Sequence, residues 1–380
     1  MAKSKTVKED GAEDNSQSSN NLLASLLADN KDSHFNDVVP LNKLISTGSL
    51  NLDSYIKVRS GGVVRLVAKT PESGKTSEAF VLAENYMKEM PKSKTLYVKS
   101  EARLSKEMQD RTGMKFVTSA EDWVYGTVFV LCCNVFEVVS NFILQLSKQM
   151  YENGEHLTII IDSLDGLILK KDLETKGIDG NQMVAGVPKL TKLLFRHLAL
   201  PIAHYDILLI ITGQYSADIK LDPYSQSIPR LGETGGGSSV PHQCDYILQY
   251  LPRYQGDYIL EKPDEKPDLI KNKILGIYVS VEVKKSATDV TGVKIRIPIR
   301  KGRVGSAIWV EKEVVDMAMQ FNHLTRKGAW YSFDANFIEL AKKDGIELKQ
   351  QHQGLNGVFE YVEENKGVFS WMLSQYKKLI

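Results

Sequence analysis

The 380 residues carry 48 Lys and Arg against 47 Asp and Glu, a formal net charge of +1 with a quarter of the chain charged. This near-neutrality excludes a uniformly polybasic nucleic-acid coat and an acidic disordered chain, and 42% hydrophobic residues suffice for a core in one large domain or two to three smaller units. Cys132, Cys133 and Cys244 have neither CxxC spacing nor neighbouring His pairs, so neither a disulfide framework nor a structural zinc site is expected, and a reducing cytoplasm fits best. The polar start and the broken apolar stretch over 128–144 predict no membrane span.

Residues 1–20 are almost wholly polar, with Val7 the only large aliphatic, and are expected to form a disordered tail. From Asn21 the LLASLL pattern predicts a short helix ending near Asn30, then an extended run to Pro40, a segment too short to fold alone. A regular alternation follows. VVRLVA (63–68) predicts a buried strand and 75–90 a helix stopped by Pro91; further strands are expected over 95–100, 127–132, 157–162 and 206–212, with helices over 135–150 and 183–200. Near-continuous apolar strands separated by helices predict an α/β core, a mostly parallel sheet flanked by helices. Strands over 246–251, 274–283 and 294–299 lack full helices between them and are expected to extend the sheet by antiparallel pairing; a helix over 311–321 closes the core, and residues 327–380 form a small C-terminal lobe.

KTPESGKT (69–76) directly follows the first core strand and opens a helix. In a P-loop, backbone N–H groups cradle phosphates, a Lys reaches the terminal phosphates and a Ser or Thr hydroxyl ligates magnesium. Gly74, Lys75 and Thr76 fit these roles, although Lys69 occupies the first glycine position; a capped helix start is the plainer reading. Asp162 ends LTIIID at the edge of a parallel sheet, where a carboxylate can support magnesium. Glu101, after TLYVKS, reads either as a water-orienting carboxylate or as a solvated loop residue. Gln214 reads either as a terminal-phosphate contact or as a surface amide. Two long loops, 170–186 and the stretch after Gln214 with Lys220, Tyr224, Arg230 and glycines 235–237, suit single-stranded nucleic acid or ordinary solvation. Residues 284–303 hold seven basic groups against Asp289, a stripe that suits phosphates or a solvated face.

In order along the chain stand PESGKT, the Ser100–Glu101 pair, IIIDSLDGL, TGQ, TGGG, VEVKKS, VVDMA and GAWYS. This order resembles the RecA family of recombinases, and most of all those of T-even-like bacteriophages, over about residues 35–331. The resemblance implies a RecA-type P-loop NTPase core (46–326) with an N-terminal oligomerisation segment (21–45) that docks on the next subunit. It implies an ATP- and Mg2+-dependent filament on single-stranded DNA that pairs it with homologous double-stranded DNA, aided by single-strand-binding and mediator proteins. Glu72, Ser73, Gly74, Lys75, Thr76, Ser77, Met108 and Asp162 would bind the nucleotide, with Thr76 and Asp162 supporting the metal. Glu101, Lys75, Gln214 and, across the subunit interface, Lys285 would carry catalysis. Met183, Tyr215, Lys220, Tyr224, Arg230, Gly235 and Gly236 would contact DNA. Two other expectations remain open: a recombination-mediating DNA-binding protein with a degenerate nucleotide site, motivated by Lys69, Met108 and Ala287, and a RecA-core helicase.

Overall fold

The computed structural model describes residues 12–70, 73–101, 104–174, 186–216, 232–233, 239–262, 265–266, 268 and 271–380. The chain divides into two units, Met1–Pro40 and Leu41–Ile380. The first holds α1 (Ala12–Asp29) and a 3-10 turn, Lys31–Ser33. α1 begins nine residues ahead of Asn21, inside the stretch expected to be disordered; a helix without an apolar stripe over 12–20 escapes a reading based on periodicity. Its Leu22, Leu23 and Leu26 are exposed.

The second unit runs β1 (Leu44–Ile45), α2 (Leu50–Asp53), β2 (Val58–Arg59), β3 (Val63–Ala68), α3 (Lys75–Glu89), β4 (Ser93–Lys99), α4 (Lys106–Thr112), β5 (Lys115–Val117), β6 (Thr127–Leu131), α5 (Phe136–Glu152), β7 (His156–Asp162), α6 (Lys170–Glu174), α7 (Gly186–His204), β8 (Leu208–Ser216), β9 (Gly232–Glu233), α8 (Ser239–Gln243), β10 (Tyr246–Tyr250), β11 (Tyr258–Leu260), β12 (Ile274–Lys285), β13 (Lys294–Arg300) and α9 (Val310–Gln320). It ends with β14 (Leu324–Lys327), β15 (Trp330–Phe333), α10 (Ala335–Lys343), β16 (Gln351–Gln353), α11 (Gly354–Glu364) and α12 (Lys366–Leu379).

The main sheet has the order β11-β12-β10-β3-β8-β7-β4-β6-β5, with β13 on β12 and β9 on β8. The run from β10 to β5 is parallel, so the carboxyl ends of β3, β4, β7 and β8 share one edge. β10 departs from the expected antiparallel extension: it pairs parallel with β3 and antiparallel with β12, and the antiparallel part begins only there. Side chains alternate between the faces. Val64, Leu66 and Ala68 of β3 pack with Phe80, Ala83 and Tyr86 of α3, while Val63 and Val67 pack with Phe136 and Ile143 of α5 and Leu194 and Leu198 of α7. These two layers bury the mid-sheet strands on both faces and leave the carboxyl edge free to carry polar groups.

The C-terminal sheet, β14-β15-β16, packs with α10 to α12 around Phe337, Trp371, Met372 and Tyr376. Val314, Met317 and Ala318 of α9 belong to the same cluster, so α9 is shared between main sheet and lobe, and residue 327 lies at the end of a strand of that lobe. Among the described residues no helix is long and apolar enough to cross a membrane.

Candidate nucleotide site

The turn from β3 into α3 bends at Gly74, whose φ of 101° is open to glycine but strained for a residue with a Cβ. Gly74 caps α3, its carbonyl accepting the Glu78 N–H at 3.0 Å, and the first-turn N–H groups ahead of Glu78 have no acceptor within the helix. Ser73 is buried and Lys75 Nζ lies 3.4 Å from Ser73 Oγ. Pro71 and Glu72 lie outside the described residues.

Asp162, at the end of β7, gathers three hydroxyls. Thr76 Oγ1 and Tyr97 Oη each donate to Asp162 Oδ2 at 2.9 Å, and Thr212 Oγ1 donates to Oδ1 at 2.6 Å. These donors come from α3, β4 and β8, so the carboxylate ties three elements together at the sheet edge. Burial, and then the Asp162 charge, push the Tyr97 phenol well above its ordinary value, which keeps it a proton donor. Glu101 Oε1 accepts from Ser163 Oγ, while Ser100 Oγ donates to Ser163 O at 2.6 Å. The Ser100 and Glu101 N–H groups also point at Asp162 O, at 3.2 and 3.4 Å. The two carboxylate-bearing segments after β4 and β7 are thereby laced together.

Ser73, Gly74, Lys75, Thr76, Tyr97, Glu101, Asp162, Ser163 and Thr212 line one cleft of about 1140 Å³. Ser77, Met108 and Gln214 line it too, Met108 from α4 and Gln214 from β8. Glu78, in the first turn of α3, is buried along its wall; loss of solvent, followed by the nearby Asp53 and Glu313 carboxyls, raises it to about 8. The structure thus brings together Ser73, Gly74, Lys75, Thr76, Ser77, Glu101, Met108, Asp162 and Gln214. Lys285 does not join them: its Nζ donates to the Pro241 and His242 carbonyls at 3.1 and 3.2 Å. Tyr215 departs from the loop position expected for it. β8 continues through Ser216 and pairs with β9, Tyr215 opposite Glu233, and Tyr215 is half-buried against the core. Met183, Lys220, Tyr224, Arg230, Gly235 and Gly236 lie outside the described residues. In the basic stripe, Lys284, Arg296, Arg300 and Arg303 pair with Glu282, Asp257, Glu363 and Glu311, which reduces the charge free for phosphates.

Sequence reasoning missed Tyr97, Thr212 and Ser163, since a single hydroxyl in an apolar strand carries no pattern. Their place at strand ends, level with Asp162, was the available signal.

No protein-family model matches the chain. The chain is 25% identical to protein RecA of Bordetella pertussis and to that of Bordetella bronchiseptica, over 342 residues that cover 86% of this chain and 83% of each relative. It is 24% identical to protein RecA of Bordetella avium over 336 residues, 86% of this chain and 79% of that one. A similarity this long, although distant, supports membership of the RecA superfamily.

Proposed function

We propose that the chain is a DNA-dependent ATPase that assembles on single-stranded DNA and exchanges it into homologous duplex. The similarity to protein RecA along most of the chain supports a general recombinase and ATPase-family function. The likeness to T-even-like phage recombinases rests on motif order alone. The observation that carries the reading is the contact between the Thr76 hydroxyl and the Asp162 carboxylate at 2.9 Å, in one cleft with Lys75, Glu101 and Gln214. A hydroxyl and a carboxylate are hard oxygen donors of the kind Mg2+ takes alongside water and phosphate, so the residues present fit that ion. When bound it neutralises phosphate charge.

The chain's own groups do the rest. N–H groups of the first turn of α3, with Glu72, Ser73, Gly74 and Ser77, bind the phosphates. Lys75 places its charge on the terminal phosphates. Glu101, held by Ser163, orients the attacking water. Met108 lies against the base, and Gln214 senses the terminal phosphate. Lys285 acts on the site of a neighbouring copy, leaving its place on the Pro241 and His242 carbonyls of α8. Met183, Tyr215, Lys220, Tyr224, Arg230, Gly235 and Gly236 contact single-stranded and double-stranded DNA, with single-strand-binding and mediator proteins as further partners. Phosphate release from ATP, measured with and without single-stranded DNA, tests the reading: stimulated turnover is expected, and turnover that DNA does not stimulate, or none at all, sinks it.

A further inference from the structure

Gly213 stands between two opposite charges. A Cβ built on it would lie 3.6 Å from Asp165 Oδ2 and 3.8 Å from Arg65 Nη2. Arg65 is the third residue of β3, 1% exposed, and by alternation it faces the same side as Val63 and Val67, where the neighbouring side chains are apolar. A guanidinium cannot be placed there without charge and hydrogen-bond compensation. Asp165 brings a carboxylate to the same point from the 3-10 turn Leu164–Gly166, which follows Asp162 and Ser163 directly.

The pairing register explains what Asp165 does at that point. β8 pairs with β7 only as far as Ile211 opposite Ile161, whereas its pairing with β3 continues to Gln214 opposite Ala68. Beyond Ile211 the β7 side of the strand has no ladder partner from β7. The Gln214 N–H is instead taken by Asp165 Oδ2 at 2.9 Å. One short segment therefore bears Asp162, the Ser163 that holds Glu101, and the carboxylate that holds the Gln214 backbone.

We infer that Asp165, whose Oδ2 takes the Gln214 N–H, is a positioning residue that sets Gln214 at the phosphate end of the cleft and couples it to the chain beyond Ser216. The inference rests on the ATPase reading above. Movement of the Asp162–Asp165 segment with the occupancy of the site displaces the Gln214 amide, and with it the start of the segment expected to contact DNA.

Two double variants test it. Both carry Arg65→Met, which removes the cation beside Gly213, so that the two differ only in what residue 165 offers the Gln214 N–H. Arg65→Met with Asp165→Asn keeps an oxygen for the Gln214 N–H; Arg65→Met with Asp165→Ala does not. Equal melting temperatures and equal DNA-free hydrolysis are expected, with stimulation by single-stranded DNA about tenfold lower in the alanine double, an ordinary size for coupling between sites. Equal stimulation in the two overturns the inference. Asp165→Glu provides a milder check: it keeps the charge beside Arg65 but shifts the oxygen that holds Gln214, so stimulation is expected to fall at unchanged stability, and unchanged stimulation also overturns the inference. Absence of stimulation in the unmodified chain is a different result, because it removes the ATPase reading itself.

Discussion

Three hydroxyls converging on Asp162 fix both carboxylate oxygens before any ligand arrives, because hydrogen bonds to a charged group each contribute about 1.5–3 kcal/mol. Glu101 is tied to the same segment, its Oε1 accepting from Ser163 Oγ. Replacing Glu101 by Gln keeps the shape and removes the base. Hydrolysis is expected to fall by about 10²–10⁴, with nucleotide affinity retained in equilibrium binding; a matching loss of affinity would show Glu101 to be a binding residue. Gly74→Ala forces a Cβ into a left-handed conformation at φ 101°, so a loss of roughly 1–2 kcal/mol in urea unfolding is expected. The meeting of Lys75, Thr76 and Asp162 in one cleft was legible because each completes a spaced pattern. Asp165 was not, since an Asp three residues past a strand end carries no mark of the Gln214 N–H that it holds.

At the level of elements, α9 shows where patterning misleads. EKE (311–313) opens α9 with three charged residues, yet Lys312 is 6% exposed and Glu313 fully buried. Glu313 accepts from Ser49 Oγ and from the Leu50 N–H, so it caps α2 from another helix. Lys312 sits 3.3 Å from the centre of the Phe359 ring. Burial raises Glu313 to about 8 from 4.5, despite both hydrogen bonds, and lowers Lys312 to about 8 from 10.5. The folded state therefore holds extra protons at Glu313 between pH 4.5 and 8, and stability declines as pH rises through that window. Lys312 has the opposite effect between 8 and 10.5, where the folded state binds fewer protons and stability recovers with rising pH. Glu78, raised to about 8, and Asp316, raised to about 6, add to the decline on the acid side. Melting temperature scanned from pH 5 to 8 is expected to fall in the parent chain and to fall less steeply in Glu313→Gln; parallel slopes would remove Glu313 as a cause.

For the whole molecule, the sheet strands were largely readable because burial on both faces leaves near-continuous apolar runs. The direction of β10 was not readable, since YILQYL carries no mark of whether its neighbour runs with it or against it. α1 was underestimated for the converse reason: its first half has no apolar face to betray it. Met1–Pro40 and Leu41–Ile380 are separate compact units, and α1 exposes Leu22, Leu23 and Leu26. Under the proposed filament, deleting residues 1–40 is expected to leave nucleotide binding intact while abolishing DNA-dependent assembly in electron micrographs; filaments of normal length would dissociate that segment from subunit docking.

The strand order also has a consequence during synthesis. β3, which leads into the turn at Gly74, pairs with β8 and β10 and with no strand made earlier. Its partners end at residues 216 and 250, so a nascent chain carries VVRLVA without its full set of partners until nearly two-thirds of the protein has been translated. At about 5–20 residues per second this lasts roughly 10–35 s. A hydrophobic strand exposed for that long is a ready substrate for holdase chaperones, and expression in cells short of them should divert the chain into aggregates before any nucleotide site exists.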